Sequence, residues 1–520
     1  MLGIDNSQAL LLLTILLLSW LVQKVVAFQR VARSVDNWPG FRTVFSDRTV
    51  LFPFSVRGLS PGPAWTINSK YAEFARHGWD VITGISIHPT PQLYIADPTL
   101  TKEIMGARAR FPKPTSSYAL LATFGTNILV TEGDEWKRQR KIAAPAFSEK
   151  NNRLVWDETA KVLDDVFQNV WGDRDVVELD NIMDLTVPVT LLVIGVAGFG
   201  RRMSWSEDQV APSGHSMTFK DAMYEVSHHL VLKVLFPDWL LRWGTPAMRH
   251  FATAHDELMA YLHEMVVARR AAEVKDERFD LMSNLLDANE DETDSAAKLS
   301  DSALIGNVFL FLVAGYETTA HTLAFAFTLL ALHQDEQEAF YQNLKSVLPT
   351  DREPTYEDFS SLSYSLAVMN ETLRLFPPVL AIPKESAEDT AFTLTSHTGE
   401  MRTLPVPAQT YIALCVASMH RNPRFWPEPD AFRPARFLGA YNRDAFQPFS
   451  GGPRGCIGRG FGETEGVAVL TKIVARYKVE VREEPGWEGE TFERRKERLL
   501  RCGHSLTIFP ERAPLVFRRR

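Results

Sequence analysis

Apolar residues in this chain gather in long blocks at helical spacing, and stretches that alternate apolar with polar are few and short. Residues 9–28 are rich in leucine and interrupted only by Thr14, Ser19, Gln23 and Lys24, a run just long enough to cross a bilayer as one helix. Residues 308–330 form a second strongly apolar run without proline, which predicts a long buried helix. Residues 459–477 read as another helix, with Phe461, Val467, Leu470 and Ile473 available to a core. Strand candidates are short, at 92–96 and 505–509. After the first of them, Asp97-Pro98 supplies an N-cap and a first-turn proline for a helix over 100–105. The pattern predicts a mainly α protein with a minor β region, preceded by one N-terminal transmembrane helix.

Charge orients that first helix. Asp5 is the only charge before it, whereas Lys24, Arg30 and Arg33 sit at or after its end, so the positive-inside rule puts the remainder of the chain in the cytosol. Lys24 is close enough to the end to reach the interface with its ammonium group. A cleaved signal peptide is the rival, and Val25-Val26-Ala27 would suit the peptidase, but no positive charge precedes the apolar run. The sequon Asn370-Glu371-Thr372 also falls inside a helical motif that a glycan would disrupt. We read an uncleaved anchor. Residues 231–243, with Trp239 and Trp243, read either as a second membrane contact or as an amphipathic core segment. Residues 289–294 read as a solvated loop. A net charge of −8 with scattered basic residues leaves no nucleic-acid footprint, and three cysteines exclude a disulfide framework.

Of those cysteines, Cys415 and Cys502 lie outside any motif and read as small buried hydrophobes. Cys456 is different. It stands in Phe449-Ser450-Gly451-Gly452-Pro453-Arg454-Gly455-Cys456-Ile457-Gly458, which is F-x-x-G-x-R-x-C-x-G without a gap. A thiolate on haem iron pushes electron density that favours O–O cleavage. Flanking glycines let the backbone curl close and aim amide N–H groups at the sulfur. Arg454 is placed to pair with a haem propionate, and Phe449 to shield the sulfur from water. Here the chain resembles the cytochrome P-450 family of haem-thiolate monooxygenases.

Three further blocks extend the resemblance. Ala314-Gly315-Tyr316-Glu317-Thr318-Thr319 interrupts the long apolar run and fits the family's A/G-G-x-D/E-T pattern. Thr318 can bond back to the carbonyl of Ala314, Gly315 leaves room for O2 and water, and Glu317 supplies a titratable group for proton delivery. Glu371-Thr372-Leu373-Arg374 is an E-x-x-R at i, i+3, and Phe432-Arg433-Pro434-Ala435-Arg436-Phe437 adds the arginine of the family's buried network. Glu371, Arg374 and Arg436 are therefore structural rather than catalytic residues. Trp136 and Arg140 share one helical face and match the family's propionate-binding pair, while Lys137, Arg138 and Lys141 face away as a basic triplet for an acidic partner.

The chain departs from the family in two places: Gly462 stands where relatives usually carry alanine, and Lys384 where a propionate-binding arginine is usual. Ser60-Pro61-Gly62-Pro63 resembles the family's proline hinge. The implied organisation is an anchor at 9–28, a linker at 29–64 and one haem-thiolate catalytic domain at 65–516.

The resemblance implies haem b on Cys456, with electrons from NADPH through a separate flavin-bearing reductase, optionally aided by cytochrome b5, at the endoplasmic reticulum membrane. By analogy, residues 118–124, 309–314, 379–382 and 503–506 line an apolar substrate pocket. The expected activity is insertion of one oxygen atom from O2 into a hydrophobic substrate, in keeping with fungal microsomal members that oxidise terpenoids. Fatty-acid or xenobiotic oxidation is the alternative substrate reading. A reductase-independent isomerase or peroxygenase, and a haem carrier without activity, are the alternative functions.

Overall fold

The computed structural model describes residues 6–49, 54–87, 90–200, 205, 210–271, 279–292, 298–348 and 352–520. The helices that carry the argument are, in chain order, α1 (Asn6–Ser34), α2 (Pro98–Gly106), α3 (Gly133–Ala143), α4 (Met183–Val193), α5 (Phe219–His229) and α6 (Val231–Leu235). They continue with α7 (Asp238–Trp243), α8 (Pro246–Arg270), α9 (Leu281–Asp291), α10 (Asp301–Leu332), α11 (Ser363–Leu375) and α12 (Arg459–Arg476). The strands are β1 (Gly40–Arg42), β2 (Val81–Ile85), β3 (Gln92–Ile95), β4 (Val176–Leu179), β5 (Ile382–Glu385) and β6 (Thr390–Thr395). They end with β7 (Met401–Val406), β8 (Tyr411–Leu414), β9 (Tyr477–Val481), β10 (Cys502–His504), β11 (Ile508–Pro510) and β12 (Leu515–Arg519).

The chain divides into two compact units, where the sequence alone suggests one domain over 65–516. The first comprises Met1–Pro114, Val379–Pro429 and Asn442–Gly455. Its five-stranded sheet has the order β1-β2-β3-β8-β5, and β6 and β7 form a separate antiparallel hairpin. Asp97 caps α2 as expected, accepting the Leu100 N–H at 2.7 Å with Pro98 in the first turn.

Residues 29–49 do not behave as a linker. Helix α1 runs on to Ser34, and Val31, Ala32, Val35 and Trp38 are buried in the core of this unit. Trp38 donates its indole N–H to the Val81 carbonyl at 2.9 Å and packs on Trp79 with ring centroids 4.5 Å apart. Strand β1 pairs in parallel with β2. The proline-rich Ser60–Pro63 stretch is likewise fixed: Ser60 is buried and its hydroxyl accepts the Gly62 N–H at 3.1 Å. By contrast, the leucines of α1 before residue 19 are exposed, as an apolar anchor outside a protein core would be.

The second unit comprises Thr115–Pro378, Asp430–Tyr441 and Cys456–Arg520. Its centre is α10, which is long and apolar enough to span a membrane yet is mostly buried inside protein and therefore a core helix. It begins seven residues before the predicted run, because Ser300 caps it by accepting the Ala303 N–H. Helices α4, α11 and α12 pack on it. Strands β4, β12 and β9 form an antiparallel sheet with β12 in the middle. The predicted strand over 505–509 is instead the turn and second arm of the β10–β11 hairpin, with 505–507 forming the turn.

Two surface readings are resolved. Residues 289–291 belong to α9 rather than to a loop, whereas 293 and 294 lie outside the described residues. Residues 231–243 fold as α6 and α7 with only Leu241 buried. Trp239 is 65% and Trp243 83% exposed, so the amphipathic-core reading fails for most of this segment.

Candidate functional site

Cys456 lies in the second unit, three residues before α12 begins. Its side chain is exposed, yet surrounding protein pushes the thiol above its usual range by burial. Three groups act against the burial and favour the thiolate: the Gly458 backbone N–H and the Arg140 and Arg459 guanidinium groups. A thiolate with an amide donor and two nearby cations, open on one side, fits an iron ligand of haem-thiolate type.

Beside the Gly458 N–H directed at the sulfur, the glycines of the motif meet packing demands. In the first unit, a Cβ on Gly452 would lie 2.6 Å from the Met105 carbonyl oxygen, and Gly452 has φ +62°, so close packing on α2 requires it. In the second unit, a Cβ on Gly458 would touch the Phe147 ring at 3.4 Å.

Helix α3 presents Trp136 and Arg140 on one face, with the guanidinium 5.8 Å from the indole centroid. Trp136 is buried, and Arg140 is half-buried and close enough to act on Cys456. The basic triplet on the other face is already compensated within the chain. Lys137 pairs with Asp134 at 2.7 Å, Arg138 with Glu135 at 3.5 Å and Lys141 with Glu292 at 2.6 Å. Of the remaining residues expected at the haem, Arg454, Phe449 and Lys384 belong to the first unit. Lys384 is buried on β5, paired in register with Ile412.

On α10 the burial pattern itself marks a window. From Ala303 to Leu332 every side chain is buried except Ala314, which is exposed, and Gly315 and Thr318, which are half-exposed. Thr318 donates to the Ala314 carbonyl at 2.8 Å, the back-bond expected from the sequence. A Cβ at Gly315 would lie 2.9 Å from Ile194 Cδ1 and 3.1 Å from Cγ1, so helix packing also requires a glycine here.

Glu317 is buried and its carboxyl is raised above the usual range by burial, against hydrogen bonds that lower it. Its Oε1 accepts from Ser505 Oγ at 2.9 Å, Thr507 Oγ1 at 2.9 Å and the Thr507 N–H at 3.3 Å. Its Oε2 is buried without a hydrogen-bond partner among the described residues. His321, one turn further along α10, places Nδ1 2.7 Å from Thr507 Oγ1. Sequence reasoning missed Ser505, Thr507 and His321 as partners of the acid. The one available signal was three hydroxyl- or imidazole-bearing residues in otherwise apolar surroundings.

Three of the four segments expected to line the pocket lie in the second unit and join one apolar cluster through Leu120, Phe124, Phe309, Phe311 and Leu506. Phe124 stacks on Phe309 with centroids 4.1 Å apart. The fourth segment, 379–382, is in the first unit, where Val379 is exposed.

Glu371 and Arg374 are fully buried and bidentate, with Nε to Oε2 at 2.7 Å and an N–H of the fork to Oε1 at 2.9 Å. Arg436 donates to Glu371 Oε1 at 3.2 Å and the Arg433 backbone N–H donates to the same oxygen at 2.8 Å. A buried carboxylate is tolerable when satisfied in this way.

The cytochrome P450 family model matches residues 63–493. Cytochrome P450 monooxygenase 124 of Postia placenta is 53% identical over 501 residues, covering 96% of this chain and 97% of its own length. Cyclooctat-9-en-7-ol 5-monooxygenase of Streptomyces melanosporofaciens is 28% identical over 416 residues, covering 78% of this chain and 84% of its own. Among solved structures, the crystal structure of the cytochrome P450DA heme domain aligns with TM-score 0.71 at 23% identity, over 88% of this chain and 94% of that one, a likeness of fold. With the family matched over most of its length and a relative 53% identical along nearly all of it, this chain belongs to the cytochrome P450 family and is a monooxygenase.

Proposed function

We propose that this chain is a membrane-anchored monooxygenase that receives electrons from NADPH through a separate reductase and oxidises a hydrophobic, terpenoid-type substrate at the endoplasmic reticulum. The observation that carries the reading is the exposed Cys456 side chain, with the Gly458 N–H and the Arg140 and Arg459 guanidinium groups near enough to favour the thiolate against the burial that raises it.

Haem b, when bound through Cys456, supplies the activation of O2. The chain's own residues do the rest. Gly458 N–H, Arg140 and Arg459 favour the sulfur's ligating form against the burial that raises its thiol. Trp136 and Arg140 are the residues of the second unit that would hold a propionate. Thr318 spends its proton on the Ala314 carbonyl, which leaves its oxygen able to accept a hydrogen bond from water or a bound ligand. Glu317 holds a proton beside it.

Support for the anchor comes from the exposed apolar half of α1, and from Trp239 and Trp243 as a second exposed patch suited to an interface. Support for the substrate class comes from the apolar cluster around Phe124 and Phe309, and from a relative named for acting on an unsaturated alcohol, cyclooctat-9-en-7-ol.

The test is a ligand titration of the purified haem protein that follows the iron spin state. A shift toward high spin with terpenoid hydrocarbons and not with fatty acids supports the reading, and the opposite response overturns the substrate class. NADPH consumption with reductase and that ligand separates a monooxygenase from a reductase-independent isomerase or a haem carrier. Cys456→Ser should abolish both the reduced carbon-monoxide band of thiolate-ligated haem and the NADPH consumption.

A further inference from the structure

The acid of α10 is held asymmetrically. Among the described residues, the three donors to Glu317, the Ser505 hydroxyl, the Thr507 hydroxyl and the Thr507 N–H, converge on Oε1, while the buried Oε2 has no partner. The turn between β10 and β11 supplies every one of these donors. Thr507 has a single hydroxyl proton. When that proton goes to Glu317, its oxygen must accept from His321, which fixes His321 as the Nδ1–H tautomer.

We propose that Ser505, Thr507 and His321 are positioning residues that tie Oε1 of Glu317 and keep Oε2 as the single oxygen that carries and releases the proton. This rests on Glu317 acting as the proton source. In the acid form the O–H bond lies on Oε2, and Oε1 remains the carbonyl acceptor of all three bonds. Loss of that proton leaves a carboxylate whose charge the same three donors stabilise, and a proton from water restores the acid. His321 stays neutral throughout. Burial, with a smaller contribution from His228 on α5, pushes it down to about 3, so it acts as a fixed donor and not as a second acid. Tyr316, next to Glu317 on α10, is pushed above its usual range by burial and the Glu317 charge, and burial lowers His228. Glu465 on α12, which packs on α10, is a second buried carboxyl raised well above its usual range, so the titration is assigned to Glu317 by its loss in E317Q.

The experiment is infrared difference spectroscopy on the full-length haem protein in lipid nanodiscs. The protonated-carboxyl C=O stretch is assigned to Glu317 by its loss in E317Q and followed against pH in wild type, S505A, T507V, H321F and H321N. Donors to a carboxylate favour its charged form, so S505A and T507V should move the midpoint up by about 1 pH unit. H321F should move it in the same direction. H321N, whose amide N–H can replace Nδ1–H, should return it to the wild-type value. Unmoved midpoints in S505A and T507V overturn the proposal, as does an H321N variant that behaves like H321F. Should one variant fail to fold, the remaining two still decide. The reduced carbon-monoxide spectrum is recorded on each sample. Its absence in wild type overturns the haem-thiolate reading without touching the carboxyl titration, so the two failures are distinguishable.

Discussion

Gly315 of α10 faces Ile194, and a Cβ on the glycine would lie 2.9 Å from Ile194 Cδ1. Two effects oppose each other in Gly315→Ala. Alanine should gain about 1 kcal/mol in helix propensity, while overpacking costs roughly 1–3 kcal/mol. The contact reaches Cγ1 as well as the terminal methyl, so the cost should win and the variant should be destabilised by about 1 kcal/mol. Ile194→Val removes the nearer atom. Combined with Gly315→Ala it should recover most of the loss, which a double-mutant cycle by chemical denaturation reads directly. Additive losses would show that the glycine answers to something other than Ile194.

Glu371 and Arg374 make the opposite kind of prediction, in which removing one partner costs far more than the pair contributes. Both side chains are fully buried, and Glu371 keeps only Arg436 and the Arg433 N–H once Arg374 is gone. Arg374→Ala should destabilise by about 3–5 kcal/mol, because a buried carboxylate is left without its bidentate partner. Arg374→Lys should recover little, since an ammonium group cannot reproduce the fork. Thermal and denaturant midpoints check both, and a cost under about 1 kcal/mol for Arg374→Ala would contradict the buried-network account.

These residues show what could be read from the sequence and what could not. Glu371 with Arg374, Trp136 with Arg140, and Thr318 with Ala314 are neighbours at helical spacing, so their meeting follows from local geometry. Cys456 was legible because every fixed position of its motif is present. The Glu317 network was not, since Thr507 lies 190 residues away and only tertiary folding delivers it. The packing of Gly315 on Ile194 was not legible either, because a glycine in a motif does not say which neighbour its missing side chain would strike. Residues 29–49 misled because their composition is mixed, and the burial of Val31, Ala32, Val35 and Trp38 reveals that they join a core.

His215 offers a prediction about pH. It stacks on Tyr261 with ring centroids 3.7 Å apart, and its two ring nitrogens meet Glu257 at 2.6 Å and Glu264 at 3.2 Å. Burial alone would lower it, but the two carboxylates outweigh that and raise it above its usual value. A raised folded-state value means stability that is fully present below the unfolded value, near 6.5, and is lost as pH rises through the folded one. His215→Gln should therefore cost about 1 kcal/mol at pH 5.5 and clearly less at pH 9. Equal costs at both values would show that the ring contributes by packing on Tyr261 and not by charge.

The entry of α1 into the first unit sets where the chain can be shortened. The exposed apolar half of the helix makes no core contact, whereas Val31, Val35 and Trp38 do, and the Arg402 guanidinium lies 5.0 Å from the Trp38 ring centroid. Removing residues 2–27 should leave the thermal midpoint of the haem protein nearly unchanged. Removing 2–64 takes away Trp38 and strand β1. Loss of a buried tryptophan alone costs about 3–5 kcal/mol, and β2 loses its parallel neighbour as well. This second truncation should aggregate or fail to retain haem. Trp38→Ala in the shorter truncation separates the two contributions. If it loses most of the stability lost in the longer deletion, the indole is the main tie between α1 and the fold; if it loses little, the pairing of β1 with β2 is.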